Sequence, residues 1–334
     1  MQKHLADGID VQPEYIRPRL ELIDAHTWQS DLFRLASLSW SVPVSEGFGR
    51  RLRYLVWDDY NKKLIGIMAL GDPVFNLKAR DDVIGWNAAD RSKRLVNILD
   101  AYVLGAIPPY NFLLGGKLIA SLIRTKEVRD HFKRKYGSTR GIISKKKKHA
   151  QLVMVTTSSS LGRSSVYNRV RLGTQSYLHP IGFTSGWGHF HIPDSLFLEI
   201  RAYLRRIRHG YVDAHRFGSG PNWRLRTIRA AFDELGFKAD LLKHGIKREM
   251  FVCELAANAG RVLRGEAKRA TYRGLKTVEE VGALARERWL VPRASRVPEY
   301  KNWKKGQFAE LVLTGRSRIQ DYDSLNPRAA EKSG

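Results

Sequence analysis

Between Thr27 and Trp40 the apolar residues Trp28, Leu32, Phe33, Leu35, Leu38 and Trp40 recur at roughly helical intervals, and Asp31 sits in the first turns, where a carboxylate suits the helix dipole. The spacing predicts an amphipathic helix. Two β-rich runs follow, 51–57 (RLRYLVW) and 63–70 (KLIGIMAL), separated by the polar turn Asp58-Asp59-Tyr60-Asn61, which predicts a hairpin. Asn87 precedes Ala88-Ala89-Asp90 as a helix N-cap, and the helix is expected to run to about Asn97. A further β-rich run, 100–107 (DAYVLGAI), ends at Pro108-Pro109. PYNFLLGG then leads into an apolar helix over 117–124 (KLIASLIR), its start marked by Gly115 and Gly116. Thr125 is the expected cap of one more helix, with Glu127 early, Lys133, Arg134 and Lys135 late, and a stop at Gly137.

Residues 151–157 (QLVMVTT) predict a strand, 163–172 (RSSVYNRVRL) a helix, and 175–192 strands joined by tight turns at Gly182, Gly186 and Gly188. From Ser195 onward the pattern turns helical, with 196–207 and 222–235 carrying apolar residues at helical spacing beside many arginines. The expected class is therefore α/β (α+β), with an α/β domain over residues 1–194 and a basic, mainly helical C-terminal region over 195–334. The order of elements resembles the GNAT acetyltransferase superfamily, which implies a GNAT-like mixed sheet flanked by helices. In that superfamily the loop after the central strand binds a coenzyme pyrophosphate through backbone N–H groups at a helix start. The resemblance implies acyl-coenzyme A as cofactor, at Asn111, Gly115, Gly116 and Lys117. The adjacent glycines depart from the superfamily's usual loop, and a glycine pair before a helix also serves as a simple turn. Basic residues near the loop offer another ligand, a nucleic-acid phosphate.

Composition narrows the partners. Of 334 residues 43% are hydrophobic, enough apolar burial for a folded chain, and Lys and Arg outnumber acids 58 to 33 for a formal net charge of +25. An excess of this size attracts polyanions, with nucleic acid ahead of an anionic membrane or an acidic protein. Cys253 is the single cysteine, so an intramolecular disulfide and a cysteine-based metal site are excluded, and a reducing cytoplasm is the expected location. No stretch approaches about 18 apolar residues and the first residues lack the apolar core of a secretory signal, so no membrane partner is expected.

Several strings are more specific. Ile84-Gly85-Trp86, Leu104-Gly105-Ala106-Ile107-Pro108-Pro109-Tyr110-Asn111 with LLGGKL, Val155-Thr156-Thr157-Ser158 with LGRSSVYNR, Gly186-Trp187-Gly188-His189-Phe190, Gly218-Ser219-Gly220-Pro221-Asn222-Trp223, and His244-Gly245-Ile246-Lys247-Arg248-Glu249 resemble the Druantia anti-phage protein DruA family, in order, over about residues 65–263. That resemblance implies bacterial antiviral defence alongside a large helicase-like partner, and a nucleic-acid context. Related genes also stand alone, so the helicase partner is not assumed.

Candidate chemistry follows from residue type. His189 and His191 fall on one side of a strand and suit proton transfer near neutral pH; with His244 and Glu249 they would make a metal site only if the fold gathers them, and no metal is assigned. Tyr167 is the candidate acid by the GNAT resemblance, or a tyrosine packed on the sheet, and Glu249 is the remaining catalytic candidate or an ion-pair partner. The turn before Asn222 heads a helix in which Arg224 and Arg226 suit a phosphate and Trp223 a base; a structural cap with a buried Trp is the competing reading. Arg163, Lys247 and Arg248 join these as nucleic-acid contacts, and Lys145 to Lys148 form either a solvated loop or a phosphate contact. Three functions remain: a DNA-binding defence protein, a transferase modifying a nucleobase or an amine, and an adaptor delivering DNA to a helicase.

Overall fold

The computed structural model describes residues 1–40, 44, 49–140, 147–185, 190, 192–207 and 222–313. Its elements in chain order are β1 (Pro18–Ile23), α1 (Trp28–Ser37), β2 (Arg51–Asp58), β3 (Lys63–Gly71), α2 (Lys78–Ile84), α3 (Ala88–Arg94), β4 (Ile98–Ala106), α4 (Gly115–Leu122) and α5 (Lys126–Tyr136). A short pair, β5 (Ser138–Arg140) and β6 (Lys147–His149), precedes β7 (Met154–Ser158), β8 (Arg171–Leu172), β9 (Gln175–Ser176) and β10 (His179–Phe183). Then come α6 (Asp194–Ile207), α7 (Asn222–Glu234), β11 (Glu249–Glu254), α8 (Ala259–Arg264), α9 (Val278–Ala285), a π-helical turn (Arg286–Leu290), α10 (Val291–Arg296) and α11 (Gln307–Leu313). By contacts the chain forms two compact units, Met1–Phe183 with Glu249–Gly334, and Thr184–Arg248.

The first unit is built on a seven-stranded mixed sheet in the order β1-β2-β3-β4-β7-β11-β10. β4 and β7 pair in parallel, with Asp100 opposite Thr156, and the other neighbours are antiparallel. β2 and β3 are almost continuously buried because both sheet faces are covered: Leu52, Tyr54, Val56, Met68 and Leu70 join one core, Leu55, Trp57, Leu64 and Ile67 another. The predicted hairpin is present, and its turn is fixed by the buried Asp58 carboxylate, whose Oδ1 accepts from the amides of Arg17 and Tyr60, both at 3.0 Å. The Asn87 cap is also as expected, its side chain accepting from the Asp90 amide at 2.8 Å.

Three segments differ from the sequence expectation. α4 starts at Gly115, because Leu114 in the left-handed region (φ 63°) turns the chain into the helix and leaves the glycines inside it. Residues 163–172 form only the 3-10 turn Tyr167–Arg169 followed by β8, since Ser164 Oγ accepts from the Tyr167 amide at 3.0 Å and Glu249 takes the Ser164 amide. Such local side-chain bonds compete with a helix. β11 is a strand where no strand was expected, inserted between β7 and β10.

In the second unit α6 and α7 pack through Leu204, Ala230 and Ala231, and through Phe197 and Ile228 with Leu242. Gly236 (φ 71°) adopts the left-handed conformation just beyond α7, as its place in the sequence predicts.

Candidate nucleic-acid interface

The loop between β4 and α4 is anchored from below. The buried Tyr110 hydroxyl donates to Asp58 Oδ2 at 3.1 Å and accepts from the Asn61 side-chain amide at 2.9 Å. Within the loop the amides of Asn111, Phe112, Leu113, Leu114 and Gly115 all donate to loop carbonyls, and that of Lys117 donates to Leu114 O. Gly115 is required by close packing, because a Cβ there would lie 2.6 Å from the Tyr110 carbonyl oxygen; at Gly116 a Cβ would meet nothing within 4 Å. Of the expected cofactor residues, Asn111 and Gly115 are thus parts of a self-bonded turn. Lys117 projects its ammonium to 5.7 Å from the centroid of the Trp289 ring.

Glu249 is bonded to residues on either side of Tyr167 in the chain, Ser164 and Asn168. The buried Glu249 carboxylate accepts through Oε2 from the Ser164 amide (2.9 Å) and the Asn168 side chain (2.7 Å), while its backbone amide donates to Ser159 Oγ (2.9 Å). These bonds fasten the segment holding Tyr167 to β11. Tyr167 packs edge-on against Phe251, centroids 5.5 Å apart, and burial pushes its phenol up to about 12, opposed by its hydrogen bond with the Thr157 side chain. At that value the phenol stays protonated, able to donate a proton but not to take one at neutral pH. His189 and His191 lie outside the described residues, as do the turn 218–221 and Lys145 and Lys146.

A carboxylate the sequence did not single out occupies the parallel junction. Asp100 Oδ1 accepts from the Thr156 hydroxyl at 2.6 Å, and burial raises its carboxyl to about 6 against the pull of Thr156, Arg80 and Arg51. Nearby, Arg80 is fully buried: its guanidinium donates to Asp81 Oδ1, to Val74 O and to Phe75 O, the two carbonyls at 2.8 Å. Asp81 also receives Trp86 Nε1 and Arg91 Nη1, each at 2.8 Å.

Within the second unit the helix-borne candidates divide. Trp223 meets Phe197 edge-on at 5.2 Å, and Arg224 lies over the same Phe197 ring at 4.4 Å with one Nη donating to Ile192 O at 2.6 Å. Both side chains hold α7 to α6 through Phe197, and Arg224 also holds it to Ile192 just before α6. Asn222 opens α7, whereas Arg226 and Lys247 are exposed, and the half-buried Arg248 donates its amide to Thr184 Oγ1 at 3.0 Å. In the first unit Arg163, Arg169 and Arg171 are exposed on the segment behind β7. Arg169 and the C-terminal cations Arg288 and Arg293 were not legible as a group; the pattern ARERWLVPR, an aromatic amid arginines, was their one signal.

A family model described as Druantia protein DruA matches residues 1–265. The chain belongs to the Druantia protein DruA family. A Druantia protein DruA of Escherichia coli (strain UMEA 4076-1) is 58% identical to this DruA-family chain over 323 residues, covering 97% of the chain and 80% of that protein. No solved structure matches. Among the described residues of this DruA-family chain no helix is long and apolar enough to cross a membrane.

Proposed function

We propose that this DruA-family chain is a component of Druantia anti-phage defence that binds DNA through cations its own carboxylates leave unpaired. The observation that carries the reading is how the acids are used. Asp58, Asp81, Asp100 and Glu249 satisfy internal hydrogen bonds at the hairpin turn, α2, the parallel junction and β11. Among the described residues no carboxylate pairs with Arg163, Arg169, Arg171, Arg226 or Lys247, all exposed, in a chain of formal charge +25. Unpaired surface cations bind phosphate by releasing condensed counterions.

Arg163, Arg226 and Lys247 are the direct contacts in this reading. Trp223 and Arg224 position α7, Asn222 starts it, and Arg248 is a flanking cation. Fluorescence anisotropy with a labelled DNA duplex tests it: Arg226→Glu and Lys247→Glu each weaken binding and flatten its salt dependence, and unchanged binding in both removes the proposed contact residues. A helicase-like partner receiving the bound DNA fits the family's Druantia name.

A GNAT-like transferase is a second reading, favoured by the strand order and its single parallel pair. Tyr167 would be its acid and Glu249, His189 and His191 its further catalytic candidates, and Lys117 with Asn111, Gly115 and Gly116 would face an acyl-coenzyme A. The self-bonded loop fits that donor poorly, since the amides of Asn111 to Gly115 already have partners. Calorimetric titration with acetyl-coenzyme A decides: absence of heat at concentrations far above ordinary coenzyme affinities ends the transferase reading.

A further inference from the structure

Lys117 stands in the first turn of α4, half-buried, with Trp289 beside its ammonium. Three guanidiniums act on the same ammonium: Arg169 from the turn behind β7, Arg288 from the π-helical turn that also carries Trp289, and Arg293 from α10. Arg293 is fixed there by its Nε, which donates to the Phe112 carbonyl at 3.2 Å. Arg169 and Arg288 are exposed, and among the described residues no carboxylate pairs with Lys117, Arg169 or Arg288. Burial and the three arginines hold the lysine below its ordinary pKa.

Lys117, Arg169 and Arg288, none of them paired with a carboxylate among the described residues, repel one another, so a fold that gathers them pays an electrostatic cost that an anion removes. We infer that Lys117, Arg169, Arg288 and Arg293 form a phosphate-binding site, a deepening that rests on the DNA-binding reading. The amides of Asn111 to Gly115 have partners already, so recognition falls mainly to the side chains: guanidinium forks match phosphate oxygens in pairs, and Trp289 steadies the lysine through its ring face. The phosphate belongs either to a nucleic-acid backbone or to a free polyphosphate. Arg288 and Arg293 lie beyond residues 1–265 that the family model matches, so the C-terminal part completes a site begun in the matched region.

The test compares the wild-type chain with the double variants Lys117→Gln/Arg288→Gln and Arg169→Gln/Arg288→Gln. The second pair alters only exposed side chains and guards against misfolding. The probes are a fluorescein-labelled DNA duplex, titrated over a range of salt, and inorganic pyrophosphate by calorimetry. The expected result is a loss of duplex affinity of about tenfold or more in both double variants, with the salt slope reduced by about two. Lys117→Arg retains wild-type affinity. Pyrophosphate binding that both variants abolish while duplex binding stays intact assigns the site to a free polyphosphate and leaves the DNA reading to other residues. Should wild type bind pyrophosphate but no duplex, the functional reading falls and this site stands. Unchanged affinity of both double variants for both probes overturns the site.

Discussion

The carboxylate of Asp81 holds two guanidiniums at once, that of the fully buried Arg80 and that of Arg91. Removing it leaves a buried cation without compensation, and Asp81→Ala is expected to cost about 3–5 kcal/mol in urea unfolding; a loss below about 1 kcal/mol would show that the Val74 and Phe75 carbonyls suffice. Asp100 behaves oppositely. Its carboxyl rises from the ordinary 3.8 to about 6 on folding, so between those values the folded state binds the extra proton, and stability falls as pH rises through the window and levels off above it. Asp100→Asn, which keeps an oxygen for the Thr156 hydroxyl, should therefore gain up to about 2 kcal/mol over wild type at pH 7 and little near pH 4. A gain equal at both pH values contradicts the buried-charge account. Neither residue was legible in the sequence, because a lone aspartate in a helix or strand carries no mark of its partners. Glu249 was named, as a catalytic candidate or an ion-pair partner, and the structure adds that its carboxylate bonds a backbone amide and an asparagine.

Elements whose signal is local were readable. The β2–β3 hairpin, the Asn87 cap and the stop at Gly236 each follow from adjacent residues, as does the strand leading to Pro108. The turn closing the hairpin places Lys62 in the left-handed region (φ 60°), where a Cβ is disfavoured. Lys62→Gly should stabilise the protein by about 0.5–1 kcal/mol, less whatever its 3.4 Å ion pair with Asp59 contributes, and a lower melting temperature would show that the ion pair outweighs the strain. What depends on distant residues was hidden. The segment 163–172 carries helical spacing, yet Glu249, far along the chain, takes the Ser164 amide and the Asn168 side chain and fixes a turn instead. For Glu249→Gln we expect faster amide exchange at Ser164 and Tyr167 with the sheet core unchanged; identical exchange would remove the latch role.

At the scale of the whole molecule, total charge was the most informative sequence property, and the structure gives it a cause. Asp58, Asp81, Asp100 and Glu249 are used on internal amides, guanidiniums and hydroxyls, while Asp59, Asp130, Asp240 and Glu266 pair with cations at the surface, and exposed cations such as Arg163, Arg226 and Lys247 are left without a carboxylate among the described residues. Two features of the larger architecture escaped the pattern: the insertion of β11 between β7 and β10, and the gathering of Arg169, Arg288 and Arg293 around Lys117 from segments far apart in sequence. The DNA-binding account is tested most directly by the affinity of the full chain for a DNA duplex as a function of salt concentration. It predicts that the logarithm of the binding constant falls linearly with the logarithm of salt, with a slope of magnitude about 4 or more, close to one unit per phosphate neutralised. Absence of binding at about 50 mM salt, or binding indifferent to salt, would contradict it.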